Sequence, residues 1–224
     1  MNGPADLVIF FDCDNTLLDN DGFQHDLRAR LERDFGAARA AGYWTAYEDL
    51  RRELGYADYL GALERFRDRN VSDDRILELA AFLLDYPFAD RLYPHALDVI
   101  AKAGRIGTTV MLSDGDAVFQ PWKLRRSGLW DAVDGRVLLY VHKDRQLAEV
   151  ARRYPARHYV MVDDKLRILA AMKAEWGLRL TTVFPRQGHY ATDPRQVDGV
   201  SAADVAVEHI ADLLNFDFAA AAND

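Results

Sequence analysis

In the stretch FFDCDNTLLD, Asp12 and Asp14 stand two residues apart at the end of an apolar run, with Thr16 two residues further on. Three later apolar runs end in a similar way. GTTVML is followed by Ser113 and Asp114, RVLLYV by His142 and Lys143, and HYVMV by Asp163 and Asp164. Carboxylates, a lysine and hydroxyls are the groups that phosphoryl transfer needs. One carboxylate can attack phosphorus and form an acyl phosphate. A second can hand a proton to the leaving group and later take one from water. Several carboxylates together repel one another and an arriving phosphate. A divalent cation resolves that conflict, and Mg2+ suits a few carboxylate oxygens, waters and a phosphate oxygen. A lysine supplies further positive charge, and a hydroxyl can donate to a phosphoryl oxygen.

Taken singly, each feature also has an ordinary reading. Asp12 and Asp14 could form a turn. Ser113, Asp116 or the Asp163–Asp164 pair could cap helices. Cys13 reads as a small buried side chain, and His189 with Tyr190 as a surface loop. Lys143 stands near the start of the helix expected after the third run. The helix dipole disfavours a cation there, unless an anion is expected beside it. The conjunction carries more weight than any member: four successive runs are all followed by groups able to do chemistry.

The elements that must position these groups are legible as a pattern. Apolar runs at residues 7–11, 107–112, 136–141, 158–162, 178–184 and 204–207 are rich in β-branched and aromatic residues. Helix-length segments separate them, so a parallel sheet with helices on both faces is expected. Residues 145–154 and 167–176 carry apolar residues at helical spacing, and Gly177 is a stop signal for the second. In such a sheet ligands bind beyond the carboxyl ends of the strands, so the four polar ends can converge. Residues 19–90 differ: four amphipathic segments follow one another with no strand between them. The expected organisation is an α/β core of residues 1–18 and 91–224 with a helical cap inserted at 19–90. Extra helices packed on the sheet are the alternative.

Bulk properties narrow the function classes. The chain has 224 residues and a net charge of −8, with no electrostatic footprint for nucleic acid or an anionic membrane. Cys13 is the one cysteine, so no internal disulfide can form. With no basic leader in MNGPADLVIFF, a cytoplasmic location is expected. Self-association, as monomer or homodimer, is left open by these properties.

The motifs together resemble those of the haloacid dehalogenase-like hydrolase superfamily. DCDNT is similar to its first motif, DxDxT, and VMLSDG to its second. Lys143 falls where the third has its lysine, and VMVDD is similar to the acidic fourth. FQPWKLRRSGLWDAV also resembles the helix and turn that follow the second motif. The likeness covers residues 1–18 and about 91–210. It implies a Rossmann-like core, Mg2+ as cofactor and a small phosphorylated metabolite as substrate. Asp12 would be nucleophile and metal ligand, and Asp14 the general acid/base with its backbone carbonyl on the metal. Thr16 would help position Asp14. Ser113 and Lys143 would bind the phosphoryl group, and Asp163 and Asp164 would complete the metal site. The insertion would close over the site and exclude water.

Two departures stand out. Asp114 replaces the more usual asparagine of the second motif, adding negative charge beside the phosphate site. Asp144 follows the lysine where relatives carry proline. Asp14 favours phosphate chemistry, because true dehalogenases of the superfamily carry an aromatic residue there. Phosphonate-cleaving relatives use a cap lysine, and residues 19–90 contain none. The superfamily alternatives are a phosphosugar mutase, a dehalogenase, or a catalytically silent member that binds a ligand or partner.

Overall fold

The computed structural model describes residues 5–68 and 72–222. Residues 1–4 and 223–224 of the expected core, and 69–71 of the expected cap, lie outside that range. Six strands form one sheet: β1 (Ala5–Phe11), β2 (Thr108–Asp114), β3 (Val137–Tyr140), β4 (Ala156–Val162), β5 (Leu180–Pro185) and β6 (Val205–Val207). Their order is β3-β2-β1-β4-β5-β6, and every pairing is parallel. The order turns in both directions from β1, so the ends of β1, β2 and β4 lie side by side. That is the crevice in which open α/β sheets bind ligands.

Alternation along β1 explains why the sheet is covered twice. Leu7, Ile9 and Phe11 belong to one apolar cluster, and Val8 and Phe10 to another. Successive side chains point to opposite faces, and both faces of this run are apolar, so both must be buried.

Four helices follow β1 within residues 19–90: α1 (Asn20–Phe35), α2 (Ala37–Leu54), α3 (Tyr59–Phe66) and α4 (Asp74–Asp85). Asp19, Asp58 and Asp73 cap α1, α3 and α4, their carboxylates accepting from backbone N–H groups of the first turns. Among the described residues of 19–90 there is no strand. The segment leaves and returns through paired backbone, with Asp19 N donating to Arg91 O at 2.7 Å and Tyr93 N to Leu17 O at 2.9 Å.

The remaining helices cover the core. They are α5 (Ala96–Gly104), α6 (Phe119–Arg126), α7 (Leu129–Ala132), α8 (Leu147–Arg153), α9 (Leu166–Trp176), α10 (Gly188–Thr192) and α11 (Pro194–Val197). Residues of α5, α6 and α7 join the cluster that holds Phe11, and residues of α8 and α9 join the one that holds Phe10. Gly177 ends α9 at φ 57°, a conformation that glycine adopts without a Cβ penalty.

One element is shorter than its pattern. The helix expected over 145–154 starts two residues later and ends one earlier. Lys143–Arg145 is a single 3-10 turn, and α8 begins at Leu147. Asp114 Oδ1 accepts from Lys143 N at 2.7 Å, holding that turn against the end of β2.

Phe23 packs α1 against α6. Its fully buried ring meets Tyr59 and Tyr86 edge-on at 5.1 and 4.8 Å and lies 6.0 Å from Phe119 of α6. Phe23→Ala should lower stability by about 3–5 kcal/mol, read from the midpoint of urea unfolding.

Candidate active site

Asp12 follows β1 directly, and its N–H still extends the ladder to Val162 O at 3.0 Å. Asp163 does the same after β4, its N–H reaching Val183 O at 3.1 Å. The pleat therefore delivers both carboxylates to one edge, with Asp164 beside them. Carboxylate oxygens of Asp12, Asp163 and Asp164 lie within 4.8 Å of one another, and all three residues are buried.

Three buried carboxylates need positive charge. Lys143, itself fully buried, places Nζ 2.6 Å from Asp12 Oδ1 and 2.7 Å from Asp163 Oδ2. It also donates to Leu112 O at 3.0 Å. Burial alone would lower the Lys143 ammonium; Asp12, Asp163 and Asp114 outweigh it and hold the group charged. Burial would likewise raise Asp12, but Lys143 and Lys165, with the Ser113 hydroxyl, bring it below the usual carboxylate range. Asp164 is pushed well up, by burial first and then by Asp163 and Asp12, which together outweigh Lys165. Asp163 is raised for related reasons.

Two lysines do not balance this cluster. Buried Oδ2 atoms of Asp12 and Asp164 have no hydrogen-bond partner, and Asp163 Oδ2 has only its ionic contact with Lys143. Unsatisfied buried carboxylate oxygens are costly. An all-oxygen donor set with spare negative charge suits a hard divalent cation, so these residues fit one.

Asp14 is placed differently. Its carboxylate turns away from the cluster to Lys123 of α6, with Nζ 2.7 and 2.9 Å from its two oxygens. Gln120 Nε2 reaches it at 3.4 Å. Thr16 is fully buried and its hydroxyl serves Asp164, accepting from Asp164 N at 3.0 Å. The support expected for Asp14 from Thr16 comes instead from Lys123. Ser113 is buried beside Asp12 and accepts from Gln120 Nε2 at 3.3 Å. Asp114 is committed to the Lys143 backbone, which gives the departure from asparagine a structural partner. Asp116 accepts from Val118 N and Phe119 N just before and at the start of α6, whose N-cap residue is Val118. Cys13 is fully buried; burial first, then Asp14, raises its thiol well above the ordinary range.

A cavity of about 250 Å³ opens beside these groups. Asp14, Asp114 and Lys165 line it from the core, with Tyr47 and Arg51 of α2 opposite. His189 and Tyr190 also line it, from the short helix α10 rather than a loop. Arg51 hydrogen-bonds the Tyr190 hydroxyl, and the Lys165 ammonium sits 4.9 Å from the Tyr190 ring centroid. Of the aromatic and basic residues of α2 visible in the sequence, Tyr43 is core and Arg52 pairs with exposed Asp49. Tyr47 and Arg51 reach the cavity.

Lys123 and Lys165 were not among the residues singled out in the sequence. A signal existed for Lys123: it shares the buried stripe of α6 with Phe119, Gln120 and Leu124, an unusual place for a charge unless it is paired.

The structure thus has a parallel α/β sheet with a buried lysine and three buried carboxylates at its carboxyl edge. The sequence matches the haloacid dehalogenase-like hydrolase family over residues 7–174, and the chain belongs to that family. It is similar to a haloacid dehalogenase-like hydrolase from Burkholderia xenovorans LB400, with 61% identity over 96% of this chain and 97% of that one, TM-score 0.89. Two more distant structures share the fold. L-2-haloacid dehalogenase from Xanthobacter autotrophicus is 16% identical over 93% of this chain and 96% of its own, TM-score 0.60. A Bacillus subtilis hydrolase of the family, solved bound to magnesium, is 16% identical over 94% and 97%, TM-score 0.62. No protein of curated function matches the sequence. No helix among the described residues is long and apolar enough to cross a membrane.

A cation that binds only the folded chain stabilises it. A divalent cation should therefore raise the melting temperature, reversibly on chelation. Asp164→Asn, which keeps the size but removes one carboxylate charge, should lose most of that rise in the same thermal scans.

Proposed function

We propose that the protein is a Mg2+-dependent phosphomonoester hydrolase of a small phosphorylated metabolite, working through an aspartyl phosphate on Asp12. The observation that carries this reading is the division of labour among the aspartates. Asp12 lies in the buried cluster beside Lys143, while Asp14 turns its carboxylate out of that cluster and lines the cavity. A displacement that makes and then breaks a phosphoenzyme needs that pair: a shielded nucleophile and a second group in reach of the leaving oxygen.

Mg2+ held by Asp12, Asp163 and Asp164 would supply charge neutralisation for the phosphoryl oxygens. The chain's own residues do the rest. A carboxylate oxygen of Asp12 attacks phosphorus, and the P–O bond to the leaving group breaks. Asp14 gives that oxygen its proton. Lys143 and the Ser113 hydroxyl hold the transferring group. Asp14, now a carboxylate, takes a proton from water as it attacks the phosphoenzyme, releasing phosphate and free Asp12. The cavity lies below the range of about 300–1,000 Å³ usual for drug-sized ligands, which supports a small substrate. Helices α1–α4 act as the cap, Tyr47 and Arg51 bringing their polar ends to the substrate.

The dehalogenase reading has less support. The solved dehalogenases it is similar to are 16–19% identical and share the fold only, and Asp14 stands where the resemblance places an aromatic residue in true dehalogenases. Phosphonate cleavage would need a lysine from the cap, where there is none.

Release of phenolate from an aryl phosphate should require Mg2+, stop with chelator, and fall by at least about a thousandfold in Asp12→Asn, in line with loss of a nucleophile. Substantial turnover by that variant would sink the mechanism.

A further inference from the structure

Lys123 is a lysine with almost no solvent: its side chain is 1% exposed. All three of its ammonium donors find oxygen. Two go to Asp14, at 2.7 and 2.9 Å, and one to Asn20 Oδ1 at 3.1 Å. Ring centroids of Tyr59, Phe88 and Phe119 stand 6.0, 5.9 and 5.8 Å away. An ammonium in such a cage has no alternative partner, so it grips the one carboxylate offered to it.

Asp14 needs such a grip. It sits in the turn after β1, next to Asn15 at φ 59°, and its side chain is 25% exposed at the cavity. Gln120 adds a longer hydrogen bond from one turn earlier on α6. A carboxylate that gives a proton to one oxygen and takes it from another must keep one place through both halves of a reaction. Asn20 is the first residue of α1, so the same ammonium also ties Asp14 to the start of the helical insertion.

We propose that Lys123 is the positioning residue of Asp14, holding its carboxylate at the cavity for proton transfer and linking that placement to the seating of α1. It touches no reacting atom and acts through Asp14 alone. The proposal rests on the phosphate-ester reading given above.

A double-mutant cycle tests it, with wild type, Lys123→Met, Asp14→Asn and the double variant assayed on phenyl phosphate and p-nitrophenyl phosphate. Lys123→Met should lower kcat on phenyl phosphate by about tenfold or more, and less on the ester with the better leaving group, with little change in KM. On the Asp14→Asn background it should cost less than about twofold. An equal loss on both esters, or a loss that multiplies with that of Asp14→Asn, overturns the proposal in favour of a structural role. Lys123→Gln takes the place of Lys123→Met if the latter does not fold. If wild type hydrolyses neither ester with Mg2+, the phosphatase reading fails separately. Crystal structures of wild type and the Lys123 variant then decide: a displaced Asp14 carboxylate is expected, and an unmoved one overturns the positioning role.

Discussion

A lysine ammonium held without solvent between two aspartates fixes the chemistry of this molecule. Lys143 can be buried only because Asp12 and Asp163 lie 2.6 and 2.7 Å from it, and they can be buried only because it is there. The strand order follows from the same requirement. β1 and β4 must be neighbours to bring the two carboxylates together, and β2 must lie next to β1 so that the turn after β3 can fold back across its end. Asp114 closes that arrangement by holding the Lys143 backbone rather than its side chain.

Charge is sorted into two compartments. Lys143, with Lys165 nearby, answers the cluster of Asp12, Asp163 and Asp164; Lys123 answers Asp14. The two aspartates of one short motif thus face different environments although a single residue separates them. In a continuing strand neighbours two apart would share a side, but β1 ends at Phe11, before both aspartates. The chain turns after Asp14, where Asn15 takes a positive φ, and that break sends the second carboxylate toward α6.

Most of the fold was legible in the sequence because it rests on local pattern. Six apolar runs became six strands, and Gly177 ends the helix it was expected to end. The groups at the strand ends were legible too, since topology alone delivers them to one edge. The pairings across the fold were not. That Lys123 would find Asp14 depends on how α6 lies over the β1 turn, and no spacing encodes it. Helix α8 starts two residues later than expected, after a Lys143 turn held by Asp114, a partner 29 residues away in the chain. Tyr47 and Arg51, which line the cavity from α2, lie in a segment whose pattern shows only an amphipathic helix. Helical periodicity separates buried from exposed faces, but it does not say which end of a helix faces a cavity.

Cys13, fully buried between Asp12 and Asp14 in the chain, has a practical consequence. Its thiol is shielded from solvent and its ionisation is suppressed by burial and by Asp14, whereas alkylating reagents need an accessible thiolate. The folded protein therefore presents no reactive thiol of its own, and its sequence contains no second cysteine. A cysteine introduced on the surface of α2 or α10 would carry a fluorophore or spin label alone, with the native residue left in place. With one such cysteine on each helix, the distance between α2 and α10 becomes measurable.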